Sequence, residues 1–359
     1  MVLEVGRGSR RRSKSQVKDL DEIDELLGED VKDFSRVVSE DEMFFDMELE
    51  DLEGIGRVTA EKLRSAGIYS VRDLAAASVQ EIASIIGSED RAKTIVSNAQ
   101  KLVLGKLFIT AKEYYEQRLK VRRITTGVKA LDNLLEGGIE TQAITEFIGE
   151  FGAGKTQICH QLSITTQLPE EEGGLNGKVA YIDTEGTFRP ERIYQIVKRR
   201  FKQLDPEKVL DNIIYARAYN SDHQMLIVNE LKKLIEKENI KLVVVDSLVS
   251  HFRAEYPGRE NLAVRQQKLN LHVHQLLRIA MIYDLAVVVT NQVVSSPDIF
   301  FGNPLKPAGG NVVAHGCTYR IWLKKSREGK RIARIIDSPK HAEREAAFRI
   351  TEEGLVDLE

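Results

Sequence analysis

Eight consecutive residues, Gly149-Glu-Phe-Gly152-Ala-Gly154-Lys155-Thr156, constrain what this 359-residue chain can fold into more than any other stretch. They follow an apolar run at 143–148 and open a stretch with helical spacing, so the glycines stand at a strand-to-helix turn. Lacking a Cβ, the backbone can curl there until successive N–H groups face one point at a helix N-terminus, where an anion is stabilised. The pattern G-x-x-x-x-G-K-[ST] in this context predicts a phosphate cradle shaped by Gly149, Gly152 and Gly154. Lys155 then reaches the β- and γ-oxygens of a nucleoside triphosphate, and the Thr156 hydroxyl ligates Mg2+.

Residues 124–359 carry the pattern that such a turn requires. Runs at 143–148, 179–182, 242–245 and 285–290 are rich in Val, Ile and Ala, as expected for strands buried on both faces of a parallel sheet. Helical spacing at 193–201, 223–236 and 262–282 lies between them, which predicts an α/β fold with a mainly parallel central sheet. Later runs at 319–323, 332–336 and 347–350, joined by short connections such as Glu328-Gly329, predict an antiparallel extension at the C-terminal edge. Leu242-Val-Val-Val-Asp246-Ser247 is a strand that ends in a carboxylate, and Asp246 would complete the Mg2+ environment. Tyr181-Ile-Asp183-Thr-Glu185-Gly186 ends another strand with two carboxylates. Hydrolysis needs one group to orient water in line with the γ-phosphate, and the spacing does not choose between Asp183 and Glu185.

Composition sets the outer limits. No window approaches eighteen uninterrupted apolar residues, which excludes a membrane-spanning helix. The N-terminus turns basic at Arg7, Arg10, Arg11, Arg12 and Lys14 without an apolar stretch, so a cytoplasmic protein is expected. Two cysteines, Cys159 and Cys317, cannot build a disulfide framework and read as reduced core thiols. With a net charge of −3, attraction to nucleic acid must come from local basic loops. Residues 1–45 alternate basic and acidic blocks and read as a charged, disordered tail.

Residues 46–104 read as short helices, with Ser78 and Glu81 forming a capping box. Leu52-Glu-Gly54-Ile55-Gly56 resembles the turn of a helix-hairpin-helix motif, in which Gly54 and Gly56 would present backbone N–H groups to a DNA phosphate; a bundle that merely packs is the alternative. Residues 105–123 read as a linker into the larger domain at 124–359.

Taken in order, these motifs resemble the RadA recombinases of archaea and their eukaryotic relatives. The likeness rests on 149–157 followed by Ile158-Cys159-His160, on Asp183-Thr-Glu-Gly-Thr-Phe-Arg-Pro-Glu-Arg192, and on Thr290-Asn-Gln-Val293. The helical domain, Phe108-Ile-Thr-Ala111 and Asp337-Ser-Pro339 fall in the family's order, and the resemblance spans about 46–359. It implies a RecA-like ATPase core that binds ATP and Mg2+, polymerises on single-stranded DNA and pairs it with a homologous duplex for recombination and repair. Glu185 would activate water, Gln292 would sense the γ-phosphate, Gln157 would join the nucleotide site and Arg192 would lie over the adenine. Asp337 and Pro339 would cap the nucleotide of the next subunit, with His315 approaching the same phosphate across that junction. Phe108 and Ala111 would insert into a neighbouring ATPase domain, giving a head-to-tail contact that builds rings or helical filaments.

Two stretches are candidates for holding DNA. Phe252-Arg253-Ala-Glu-Tyr256-Pro-Gly-Arg259, continuing to Arg265, joins guanidinium groups to aromatic rings, which suits single strands without sequence preference. Residues 295–310, with Pro297, Pro304, Pro307, Gly309 and Gly310 and one cation, Lys306, form a span too long for an ordinary connection. Competing readings are a recombinase paralogue or regulatory DNA-dependent ATPase without strand exchange, a non-catalytic DNA scaffold, and a ring helicase; recombination mediators are possible partners. His272 and His274, two apart on a predicted helix, face different sides and make no shared metal site. Asp132 and Glu136 read as a solvated face rather than a metal pair.

Overall fold

A computed structural model describes residues 47–104, 108–295 and 305–358. The expected tail at 1–45, and Pro297 and Pro304, lie outside the described residues. The chain forms two compact units that part at Gly105, except that residues 63–69 cluster with the larger one.

Helices Arg57–Ser65, Val71–Ala76, Val79–Ile86 and Glu89–Leu104 follow in close succession, all but 63–65 within the smaller unit. Each start has a local cause. Ser78 Oγ accepts from the Glu81 N–H at 3.1 Å while the Glu81 carboxylate accepts from the Ser78 N–H, the reciprocal capping expected from the sequence. Ser70 and Asp73 repeat the device one helix earlier. Leu74, Ile82, Ala92 and Ile95 are buried.

The larger unit opens with helix Ala111–Leu119, which the sequence reading took for linker; Thr110 and Glu113 cap it reciprocally. A two-stranded ribbon follows, β1 (Arg123–Ile124) against β2 (Ile139–Glu140). The main sheet comprises β3 (Ala143–Gly149), β4 (Lys178–Asp183), β5 (Ile213–Arg217), β6 (Ile240–Asp246), β7 (Ala286–Ser295), β8 (Leu305–Pro307), β9 (Tyr319–Lys325), β10 (Lys330–Asp337), β11 (Glu345–Thr351) and β12 (Gly354–Asp357). Their order is β12-β11-β10-β9-β3-β7-β6-β4-β5, with β8 paired to β7 alone. Strands from β9 through β5 run parallel, whereas β10, β11 and β12 add antiparallel pairs. The run at 319–323 therefore belongs to the parallel sheet, and the antiparallel extension begins only after Lys325.

Alternation along the strands feeds two apolar cores, one on each face. Leu242 and Val244 join one cluster and Val243 and Val245 the other, as do Val288 and Val287 on β7. Helix Lys155–Thr165 packs in the first cluster through Ile158, Cys159 and Leu162, and helix Leu262–Ile282 in the second through Leu269, Val273 and Leu276. The arrangement brings the C-terminal ends of β3, β4, β6 and β7 together, the edge where open parallel sheets bind ligands. Among the described residues no helix is long and apolar enough to cross a membrane.

Candidate active site

At the end of β3 the backbone turns into helix Lys155–Thr165 through conformations that only glycine adopts without strain. Gly152 and Gly154 have φ of +74° and +112°. A Cβ on Gly149 would lie 2.6 Å from the Leu323 carbonyl, and one on Gly154 would lie 2.8 Å from Ile350 Cδ1. Lys155 Nζ donates to the Gly149 and Glu150 carbonyls at 2.8 and 3.0 Å, leaving one of its three N–H groups for a ligand. Burial lowers the Lys155 pKa, against the charges of Asp246 and Glu185. Loop and strand ends border a cavity of about 920 Å³, large enough for a nucleotide.

Asp246 ends β6 almost fully buried. Its Oδ2 accepts from Thr156 Oγ1 at 2.7 Å and from the Tyr181 hydroxyl at 3.0 Å, and Oδ1 accepts from Thr290 Oγ1. Burial raises its pKa, while these three hydroxyls act in the opposite direction. A hydroxyl and a carboxylate oxygen beside a phosphate cradle form the hard-oxygen set that Mg2+ selects, and a cation there would relieve the cost of burying the charge. The residues present fit an Mg2+–triphosphate.

Hydrogen bonding sets the two carboxylates apart. Asp183 is consumed by its own turn: it accepts from the N–H groups of Glu185, Gly186, Thr187 and Phe188, from the Tyr215 hydroxyl and from Arg217. Burial pushes its pKa up, but the Phe188, Gly186 and Thr187 N–H groups outweigh that and hold it below the ordinary carboxylate value. Glu185 lines the cavity instead. Its Oε1 accepts from Ser247 Oγ and from Gln292 Nε2, both at 2.7 Å. Gln292 thus touches the candidate acid directly, and its backbone carbonyl accepts from the Ala308 N–H at 2.9 Å.

Arg192 borders the far side of the cavity, bonded to Gln157 Oε1 at 2.9 Å, to the Glu352 carbonyl at 3.0 Å and to the Thr351 carbonyl. The turn between β11 and β12 therefore walls the site, as do Ile350 and Arg331. Sequence reasoning missed these residues and Ser247. They come from distant strands or carry no motif; only Ser247, directly after Asp246, stood where a local pattern could have pointed to it.

Other expected residues do not converge on this cavity. His315, on helix Gly310–Gly316, and Asp337 and Pro339, at and beyond the end of β10, are exposed and do not line it. Phe108 is 91% exposed, and Ala111 is exposed at the first position of its helix, so the pair is not part of the core of its own chain. Arg253 and Arg259 are exposed; Arg265 donates to the Tyr256 carbonyl at 2.9 Å, and Lys268 covers the half-buried Tyr256 ring at 5.1 Å. Phe252 is a correction to the expected aromatic set: it is fully buried against His272 and is unavailable for stacking. The span at 295–310 is also more ordered at its end than expected, because β8 pairs antiparallel with 293–295. In the smaller unit, Gly54 has φ of +96°, and the Gly56 carbonyl accepts from the Thr59 and Ala60 N–H groups at the start of helix Arg57–Ser65.

Two incidental expectations resolve as follows. His272 is buried against Gln224 while His274 is exposed, on different sides of their helix. Asp132 is partly buried and accepts from Thr125 and Thr126, whereas Glu136 is exposed as expected and pairs with Lys340 and Arg344.

Comparison with known proteins points one way. The family model Rad51 matches residues 117–358, and the model of a SAM-like helix-hairpin-helix tandem matches 46–101. A "DNA repair and recombination protein RadA" of Ignicoccus hospitalis (strain KIN4/I / DSM 18386 / JCM 14125) is 54% identical over 314 residues, covering 86% of this chain and 95% of that protein.

Proposed function

Since the chain belongs to the Rad51 family, we propose that it is a recombinase of DNA repair, a DNA-dependent ATPase that polymerises on single-stranded DNA in the cytoplasm and exchanges strands with a homologous duplex. The observation that carries this reading is the convergence of Lys155, Thr156, Asp246, Glu185 and Gln292 on one cavity. Bound ATP supplies the γ-phosphoryl group for transfer to water, and Mg2+ spreads the charge that develops. Gly149, Gly152 and Gly154 hold the loop open for backbone N–H groups to bind phosphate, with Lys155 reaching inward from the loop carbonyls it now contacts. Thr156 and Asp246 hold the metal, Gln157 and Arg192 bound the base end, and Glu185 takes the proton of the attacking water. Gln292 links that acid to β8 and Ala308.

His315, Asp337 and Pro339 act on the nucleotide of a second copy, which docks through Phe108 and Ala111. Arg253, Tyr256, Arg259 and Arg265 grip the backbone of a single strand, and Gly54 and Gly56 offer N–H groups to duplex phosphates. Hydrolysis measured with and without single-stranded DNA over a range of protein concentration tests the reading. Rates should rise with both. Equal turnover by an isolated subunit indifferent to oligonucleotide would sink it.

A further inference from the structure

Three residues before the phosphate loop, Glu146 on β3 is fully buried, and the chemistry proposed above gives it no task. Its Oε1 accepts from Asn291 Nδ2 at 2.6 Å, and its Oε2 accepts from Arg320 Nε at 2.6 Å. Each partner lies on a different strand. Asn291 Nδ2 also donates to the Ala308 carbonyl at 2.7 Å, using its second hydrogen. Side chains alternate along β7, so Gln292 points to the opposite side from Asn291, toward Glu185. Arg320 stands in register with Glu146 on one side and with Asp337 on the other. Burial pushes the Glu146 carboxyl up and Arg320 pulls it down, while the charge of Asp337 reaches it as a further upward influence.

Stability alone does not call for this pair. Apolar residues of similar volume in place of a buried ion pair are often neutral or stabilising. What two directional bonds on one carboxylate do supply is fixed alignment between strands. We propose that Glu146 is a positioning residue that couples the two nucleotide faces of one protomer. Through Asn291 it sets the strand end that carries Gln292 and the pairing of 293–295 with β8; through Arg320 it sets the strand end that carries Asp337. The inference rests on the function proposed above, in which Asp337 caps the nucleotide of a neighbouring copy. The state of one site then biases the next, and hydrolysis is cooperative in ATP.

Two full-length variants test it. Asn291→Ala leaves the Glu146–Arg320 pair intact, and the double variant Glu146→Leu/Arg320→Leu removes both charges so that neither is left alone in the interior. Steady-state hydrolysis on single-stranded DNA is followed across Mg-ATP concentration. The parent chain gives a Hill coefficient above unity, and both variants fall to about 1 with turnover at saturation within about twofold of the parent. A purely structural role would lower the melting temperature and the active fraction but leave the Hill coefficient at the parental value, and that result overturns the proposal. If the double variant does not fold, Asn291→Ala decides alone. A parent stimulated by DNA but without cooperativity also overturns the coupling; a parent indifferent to DNA overturns the underlying function, and the coupling with it.

Discussion

Replacing Phe108 with alanine separates assembly from folding. The side chain is 91% exposed in the single chain, so its removal takes nothing from the core and should leave the melting temperature unchanged. If it fills a pocket on a second copy, the area at stake is about 150–250 Å². At about 25 cal/mol per Å² this sets an upper figure of about 4–6 kcal/mol, and large-to-small core substitutions of phenylalanine cost about 3–5 kcal/mol. The retained methyl group and the ordering of a linker in the complex argue for the lower end, about 3 kcal/mol per junction. At 1.4 kcal/mol per tenfold this weakens each head-to-tail contact about 100-fold. Electron microscopy with single-stranded DNA and a non-hydrolysed ATP analogue should show the parent as filaments or rings and Phe108→Ala as dispersed subunits until its concentration is raised by a comparable factor. Light scattering gives the midpoint. A variant that assembles at the parental concentration, or that melts several degrees lower, would show that the segment serves the fold of its own chain instead.

Glu185→Gln should lower single-turnover hydrolysis by about 10²–10⁴-fold while nucleotide binding and assembly persist, because an amide cannot take the proton of water. An equal loss in a folded Asp183→Asn chain, with Glu185→Gln active, would reverse the assignment of the two acids. Gly154→Ala, at φ +112° and against Ile350, should weaken binding of a fluorescent ATP analogue by about 10–100-fold, the equivalent of about 1–3 kcal/mol of strain. His160 gives a pH prediction: burial first, then the charges of Arg192 and Arg189, lower its pKa to about 4. The unfolded chain takes up this proton below about pH 6.5 and the folded chain resists until about 4, so stability is complete above that window and falls through it by about 3 kcal/mol. Urea unfolding at pH 7, 5 and 4 should show a shallower decline for His160→Gln; parallel declines refute the role of this imidazole.

The central strands were legible because both faces of the sheet are covered: 179–182, 242–245 and 285–289 are continuous apolar runs, and 143–148 is broken only by the buried Thr145 and Glu146. Where one side meets solvent, the pattern failed. Strand β5 went unseen although Ile213-Ile-Tyr-Ala216 is as apolar in sequence as 179–182; at this sheet edge Tyr215 is 45% exposed. Helix Ala111–Leu119 buries no residue and offers no apolar stripe; Thr110 and Glu113 were its only trace. Parallel pairing of β9 with β3 is a matter of topology, which short connections cannot reveal. The site divides in the same way. Lys155, Thr156 and Asp246 stand at positions that chain geometry fixes locally, whereas the difference between Asp183 and Glu185 lies in which carboxylate the turn's own N–H groups consume. Phe252 misled because an aromatic next to an arginine looks the same in sequence whether it faces DNA or the core.

The geometry around Gln292 bears on why such a protein should work as an assembly. Its side chain meets Glu185 and its carbonyl meets Ala308, so one residue joins the proposed hydrolytic acid to the segment that follows β8. A hydrogen bond to a charged group contributes about 1.5–3 kcal/mol. That is within the usual range of coupling between two sites, yet moving a two-state equilibrium from 1:99 to 99:1 takes about 5.5 kcal/mol. One protomer with one such link cannot switch its hold on a polynucleotide from slack to firm. About two to four protomers whose links act together can, provided the nucleotide of each is also felt by the next. Asp337, Pro339 and His315 are exposed and outside their own chain's cavity; the proposed contact of these residues with a neighbour's nucleotide would make cooperativity in ATP a condition of the switch.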